Sequence, residues 1–510
     1  MSSSSSSTDS KSKTDLKGNG KATENQVETQ VTQVVPLESG DDYEVDLEPH
    51  EHPQHKPLFI KWLIVAIIGI SALCVTCASS AASFTETGVS RDFHVPKEVT
   101  ILSITLFVIG MGFGASVFCD LSLRVRCQKY TVEASSTGPP SSSSQRLPSE
   151  LLLLLTLATV HLVFRFLTGF SGSSFLSVAG GSVSDLFDNR SVGTPMAVYV
   201  LTPFVGPVVG PLFAGFVNQN TNWRWTYWVL IIWSFIQTVA LFLLVPETYV
   251  PVLLKWKAEK LRKTTGDQNY YAPLDKRTQS MTQAILISCY RPFQLMFFER
   301  MALLLNTWSA LIFGILYLTF QAFPIIFGKG HGFNVQEVGL SFIGIGIGML
   351  AGVMTQPFFN RYLLRQAERA GGVLPPPEAR LFAAEIGGIC APVALYWLAF
   401  TTYPSVHWIV PIIASVLFGF GIFLAFTSVL TYLVVAYRPI AASSMAANSA
   451  MRYSFAASFP LFAGQMYERL GTVGATALLA GLMTLAAPLP FIFRRIGADV
   501  RAKSRFANFK

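Results

Sequence analysis

Residues 205–216 read VGPVVGPLFAGF. Two Gly-Pro pairs, Gly206-Pro207 and Gly210-Pro211, stand one helical turn apart in an otherwise apolar run over 193–216. Each proline removes a backbone donor and kinks a helix, while each glycine allows a neighbouring backbone to approach. The run is near the length needed to cross about 30 Å of hydrocarbon. It reads as a kinked membrane-spanning helix that packs closely on its neighbours.

Working outward, runs of this grade recur along the chain. They fall at 60–82, 98–118, 151–175, 193–216 and 225–245, then at 301–327, 335–359, 381–400, 408–436, 442–466 and 472–493, eleven in all. Pro246, Pro292, the PPP at 375–377, Pro404 and Pro439 punctuate their flanks. Composition agrees: the 510 residues are 51% hydrophobic and 13% charged, about half the charge of a soluble protein. The fold class this predicts is an all-α polytopic membrane protein.

The formal net charge is +8. Lys and Arg fall in short segments between apolar runs, the pattern of cytoplasmic loops, and form no single basic face, so no nucleic-acid partner is expected. Cys74 and Cys77 have redox or metal spacing but lie inside a span, where small-residue packing is the plainer reading. His50, His52 and His55 lack a second ligand cluster, so neither a metal nor a cofactor is expected. The chain carries no H-E-x-x-H, G-x-S-x-G or P-loop, which argues against an enzyme. Asn189-x-Ser191 matches a glycosylation sequon but falls in a segment expected on the cytoplasmic side.

Five regions follow. Residues 1–57 are polar and Ser-rich and are expected to be a disordered cytoplasmic tail. Residues 58–245 form a first transmembrane bundle, 246–299 a cytoplasmic central loop, 300–495 a second bundle and 496–510 a cytoplasmic tail. In the second half, Arg361, Arg365, Arg369 and Arg380, then Arg438, then Arg494 and Arg495 alternate with loops nearly free of Lys and Arg. Six spans fit there. In the first half Lys56 and Lys61 place the N-terminus inside, so an even number should precede residue 246, yet five are counted.

Several stretches resemble fungal members of the major facilitator superfamily, in the group of twelve-span drug:proton antiporters that includes multidrug and polyamine exporters. They are FRFLTGFSGSSFLSVAGGSVSDLF (164–187), VGPVVGPLFAGF (205–216), NWRWTYW (222–228), PETYVPVLLKWKAEKLRKTTGD (246–267) and AASSMAANSAMRYSFAASFPLFAGQMYERLG (441–471). The resemblance covers about 60–118 and 160–497 and implies two six-helix bundles. The family follows its second span with a short G-x-x-x-D-R-x-G-R-R loop and a third span. Here residues 119–150, CDLSLRVRCQKYTVEASSTGPPSSSSQRLPSE, keep Asp120, Arg124 and Arg126 but lack the paired glycines. A Ser/Pro run cannot satisfy its own backbone in hydrocarbon. Either an altered coding sequence has replaced the third helix, or Leu151 onward is squeezed into two short spans.

The resemblance implies a secondary active transporter, a proton-coupled exporter of drugs, polyamines or small metabolites working by alternating access. It makes Gly206, Pro207, Gly210 and Pro211 the antiporter motif at the bundle interface, and Arg165 the fourth-span arginine of proton coupling. On physical grounds an intramembrane arginine faces the interior or a watery cavity, or else snorkels; Arg452 poses the same choice. Asn306, Trp308, Tyr317 and Gln321 occupy a seventh span, several on one face, and Tyr396 and Trp397 end the ninth. Aromatics with a polar tip suit an amphipathic or cationic substrate, and are equally common in packing and interface belts. Buried carboxylates are few: Glu385 in the ninth span, Glu299 and Glu86 near helix ends. Val435 stands where the family often has Asp. The partners expected are a small-molecule substrate, protons and the bilayer, with the chain a monomer in the plasma membrane. The alternatives are an importer, or a non-transporting remnant with a broken first bundle.

Overall fold

The computed structural model describes residues 43–48, 50–124, 150–188, 191, 193–273, 275, 281–371, 375–437, 440–502 and 504. Residues 125–149, the core of the anomalous stretch, lie outside the described residues, as do residues 1–42 of the tail and the asparagine of the sequon. The described residues hold no strand, only one isolated bridge, Glu44 to Tyr271.

The first half runs α1 (Leu58–Ala81), α2 (Glu86–Phe93), α3 (Lys97–Arg124), α4 (Glu150–Leu186), α5 (Gly193–Asn220) and α6 (Arg224–Leu244). Pro57 precedes α1, and His94 stops α2 in the left-handed region at φ 49°. Helix α4 is 37 residues long, about 55 Å of rise, well beyond the run at 151–175. Prolines 203, 207 and 211 all sit inside α5. Pro203 cannot donate to the Tyr199 carbonyl; the Thr202 hydroxyl donates to it instead, at 2.8 Å. Such local substitution is how a membrane helix tolerates proline.

The segment 246–299, read as a loop, carries two helices, α7 (Val250–Thr265) and α8 (Met281–Phe298). The second half follows as α9 (Arg300–Phe323), extended by a π turn over Pro324–Gly330, then α10 (Val335–Ser341), α11 (Ile343–Arg369), α12 (Phe382–Phe400), α13 (Ile409–Ala436), α14 (Ala441–Ala486) and α15 (Pro488–Ala502). Asn334 and Glu337 form a reciprocal capping box at the start of α10. Helix α14 is broken at Gly471, whose φ of 69° only glycine adopts without strain.

Nine stretches among the described residues are long and apolar enough to cross a membrane. One of them, Ser443–Ala502, divides at Gly471. Counting its two arms separately and adding α4 gives eleven apolar helical stretches among the described residues. Helix α6 turns Trp225, Trp228, Ile232, Phe235, Ile236, Phe242 and Leu243 outward. A row of exposed large apolar side chains is a liability in water and the normal condition against lipid.

The chain divides into two compact units. The large one spans Leu47–Leu253 and Arg277–Lys510 and contains the long apolar helices. In its first half α1 lies on α5 and α3 on α4; in its second, α9 lies on α14 and α13 on both α11 and α12. The halves meet where α3 touches α14, where α5 touches α10 and α11, and through polar contacts from α1 and α2 to α9. The small unit joins Tyr43–Asp46 to the segment from Leu254 to Lys276. Val45, Ala258 and Ala272 form its buried core. The Val45 amide donates to the Tyr271 carbonyl at 3.2 Å, and Arg262 pairs with Asp275 at 2.6 Å. Of the stretch expected to be a disordered tail, Tyr43–Asp46 are the described residues that pack in this unit.

Candidate functional site

The Gly-Pro stretch has two working faces. On one, a Cβ at Gly206 would stand 1.8 Å from Thr76 Oγ1, and one at Gly210 would stand 2.0 Å from Ser80 Oγ and 2.7 Å from the Cys77 carbonyl. Thr76 and Ser80 are one turn apart on α1, as Gly206 and Gly210 are on α5, so two small-residue rows mesh backbone to backbone. Ser80 adds a 3.4 Å bond to the Gly206 carbonyl. On the other face, Gly339 of α10 sits against the Pro211 carbonyl, Gly215 against Val335 and Gly339, and Gly346 of α11 against Val208. Helix α5 is thus held tightly within its own half and closely across the divide.

Arg165 is 6% exposed on α4. Its Nε donates to the Ser103 carbonyl at 3.4 Å and its second terminal nitrogen to the Ala78 carbonyl at 3.3 Å. The guanidinium covers the Phe107 ring at 4.4 Å and reaches the Tyr227 ring at 5.9 Å. Its partners among the described residues are carbonyl oxygens and rings rather than carboxylates, and it ties α4 to α1 and α3. Arg452, on α14, lies over Phe313, Tyr453 and Phe426 at 4.9, 5.2 and 5.6 Å. Its Nε has no hydrogen-bond partner among the described residues. Between the arginines runs an aromatic seam that crosses the divide. Phe204 of α5 stacks with Phe426 of α13 at 5.3 Å, Phe313 touches Phe426 at 5.6 Å, and Phe313 meets Tyr317 at 5.0 Å.

The seventh-span candidates separate. Tyr317 and Gln321 lie on the face of α9 toward the first half. The Tyr317 hydroxyl is 2.8 Å from Ser79 Oγ on α1, and Gln321 donates to Glu86 on α2. Asn306 instead faces α14, accepting from Asn448 Nδ2 at 3.0 Å, and Asn448 also donates to Ser309 at 3.0 Å. Trp308 is 1% exposed and borders Gly388, which also faces Ala487 and Pro490. Tyr396 and Trp397 are on the exterior, 36% and 40% exposed. Glu385 is held by Arg494, which also covers the Phe382 ring at 5.0 Å. Two further contacts follow Arg494 toward the C-terminus: Arg501 pairs with Glu378 at 3.0 Å, and Ser504 donates to Glu299 at 2.7 Å.

Arg165, Arg452, Tyr317 and Gln321 therefore gather at the divide together with one face of the Gly-Pro stretch. Asn306, Trp308, Glu385 and Tyr396 do not. Asn448, buried completely, escaped the sequence reading although it lies in the quoted 441–471 stretch. An amide inside a run of small apolar residues was the signal available. No group of three or more His, Cys, Asp or Glu that could hold a metal occurs among the described residues.

Two helical halves meeting along a glycine- and aromatic-lined seam, with arginines buried beside it, define a polytopic carrier. A profile of the Major Facilitator Superfamily matches residues 68–460. "Efflux pump atB" of Aspergillus terreus is 42% identical over 463 residues, 90% of this chain and 88% of that protein. "Probable drug/proton antiporter YHK8" of Saccharomyces cerevisiae is 37% identical, with the same shares covered. Among solved structures, the inward-open xylose transporter XylE from E. coli superposes with a TM-score of 0.58 at 12% identity, over 85% of this chain and 96% of that one. The human organic anion transporter MFSD10 gives 0.57 at 14% identity, over 85% and 100%. At those identities the structures show the fold alone. This chain belongs to the major facilitator superfamily; it is a membrane transporter, not an enzyme.

Proposed function

We propose that this chain is a proton-coupled exporter of small amphipathic molecules, drugs or metabolites, that works by alternating access. The observation that carries the reading is the double packing of α5. Its Gly206–Gly210 row is locked on α1 while its Pro211–Gly215 face meets α10. A helix welded to its own half and closely fitted to the other can transmit rocking of one bundle past the other. The printed names of the relatives, an efflux pump and a probable drug/proton antiporter, support export over import. Similarity to such proteins over 90% of the chain speaks against a non-transporting remnant.

In this reading the aromatic seam of Phe204, Phe313, Phe426 and Tyr453 receives the substrate, since rings take up flat or cationic molecules without demanding one hydrogen-bond pattern. Arg165 and Arg452 set the charge beside it, and Arg165 takes part in proton coupling. The chain acts as a monomer in the plasma membrane with both ends in the cytoplasm. The end of the bundle where Ser79 and Glu86 meet Tyr317 and Gln321 of α9 is then the outer one. Expression in a yeast host stripped of its own pumps tests this: resistance and reduced accumulation toward a panel of aromatic antifungals are expected. Unchanged accumulation of every compound, with the protein present in the membrane, would defeat the reading.

A further inference from the structure

We propose that Glu86 is a proton-binding latch: it holds the α1–α9 end of the bundle shut when protonated and releases it when ionised. This goes beyond the proposed export and rests on it only for naming that end the outer one.

The geometry comes first. Glu86 is 6% exposed and opens α2 immediately after α1. Its carboxyl accepts from the side-chain amide of Gln321, itself 5% exposed, on α9 of the opposite half. The neighbouring cross-half bond is the Ser79–Tyr317 pair. Helix α2 is fixed to its own half: Asp92 accepts from the Trp223 indole at 2.9 Å and pairs with Arg224, and Gly88 lies against the Trp223 ring. A change at Glu86 is therefore felt at the seam between the halves rather than absorbed by a loose loop.

The titratable and charged groups around it come from each element packed there. On α2 they are Arg91 and Asp92, with His94 after it. Helix α3 contributes Lys97 and Glu98, α4 His161, and α6 Tyr227, which bonds Thr85 at 3.1 Å. From the opposite half come Tyr317 and Gln321, with Lys329 and His331 beyond them. Of these, Lys97 is the cation that acts on Glu86, and Gln321 is a neutral partner that cannot offset a full negative charge.

Burial pushes the Glu86 carboxyl up to about 7, against the opposing pulls of Lys97 and the Gln321 amide. Opening that end hydrates the carboxyl and returns it to the ordinary carboxylate range, near 4.3. The closed end thus binds the proton more tightly than the open one. Between roughly pH 4.5 and 7, each unit of rise lowers the closed-to-open ratio by up to about tenfold. Above 7 the proton's contribution to closure is gone. Because proton uptake and release both occur at one face, the device senses the pH of that face without carrying a proton across.

The test needs no transported substrate. Spin labels replace exposed Arg91 and Lys329, one on each half at this end, in a cysteine-depleted full-length protein held in lipid nanodiscs. Pulsed dipolar distances are then recorded from pH 5 to 8.5. The short-distance population should fall as pH rises and level off above about 7. In Glu86→Gln, which cannot ionise, it should stay high and flat. In Lys97→Met, an exposed site, the midpoint should move to higher pH, because the cation that favours ionisation is gone. A pH response shared by the parent and Glu86→Gln overturns the latch, as does a flat parent or a midpoint that Lys97→Met leaves in place. Failure of the export reading would show separately, as an absence of efflux in molecules that still titrate.

Discussion

The hydroxyls of Ser79 and Tyr317 stand 2.8 Å apart, joining α1 of the first half to α9 of the second, both fully buried. The two residues are 238 apart in the chain and meet because the halves close on each other there. Net, one such bond stabilises by about 1 kcal/mol. Tyr317→Phe and Ser79→Ala should each reduce the closed population at that end about fivefold, and the double variant should cost little more than either. Dipolar distances across the end provide the double-mutant cycle. Strict additivity would mean the pair is not coupled.

The meshing of α5 on α1 predicts a sharp ranking among glycines. Gly206→Ala and Gly210→Ala place a methyl inside contact distance of Thr76 and Ser80, overpacking that costs about 1–3 kcal/mol. Gly464→Ala, with nothing within 4 Å of the new Cβ, should be neutral or slightly stabilising. Thermal unfolding in detergent and export assays should both separate the first two from the third. Equal melting temperatures for all three would contradict the close approach.

Arg165 offers a test of shape against charge. Lysine keeps the charge but lacks the planar fork that here reaches two carbonyls on different helices while covering a ring. Arg165→Lys should therefore lower proton-driven export by about tenfold or more, equivalent to about 1.4 kcal/mol, with Arg165→Ala at least as severe. Export by Arg165→Lys at the parent's level would show that a point charge suffices.

The ion pairs of Glu378 and Glu385 with Arg501 and Arg494 anchor α15 to the start of α12 and the turn before it. Gly497 rests on the Glu378 side chain. Because Glu378 is only 3% exposed, Glu378→Gln should destabilise the protein by roughly 1–3 kcal/mol through loss of the charge-assisted bond that Arg501 makes to it. The proton dependence of export should remain. A changed proton dependence with unchanged stability would make this carboxylate part of the coupling machinery instead of an anchor.

Much of the fold was legible because hydrocarbon allows few solutions. Apolar runs of crossing length must be helices, and all eleven are, including the break at Gly471 between the last two. Helix α4 overran its apolar run although Gly180, Gly181 and Ser182 disfavour helix; Val183 and Leu186 beyond them are buried in one cluster with Ile64 of α1 and Tyr199 of α5. The long-range partners were not legible. Gly206 announced that some backbone comes close, but only the folded chain shows that Thr76 supplies it. Gln321 and Glu86 were both noticed, as a polar seventh-span side chain and a carboxylate near a helix end; their pairing across the divide has no local signal. Glu385 was a candidate because it is acidic in an apolar run, and Arg494, which holds it, lies 109 residues away.

Proton-driven export is the central claim, and reconstituted transport tests it most directly. Purified protein in liposomes should move a fluorescent lipophilic dye such as rhodamine 6G against its gradient when a pH difference is imposed. That movement should stop when a protonophore collapses the difference and should be lost in Arg165→Ala. Dye movement that ignores both the protonophore and the Arg165 substitution would contradict the account.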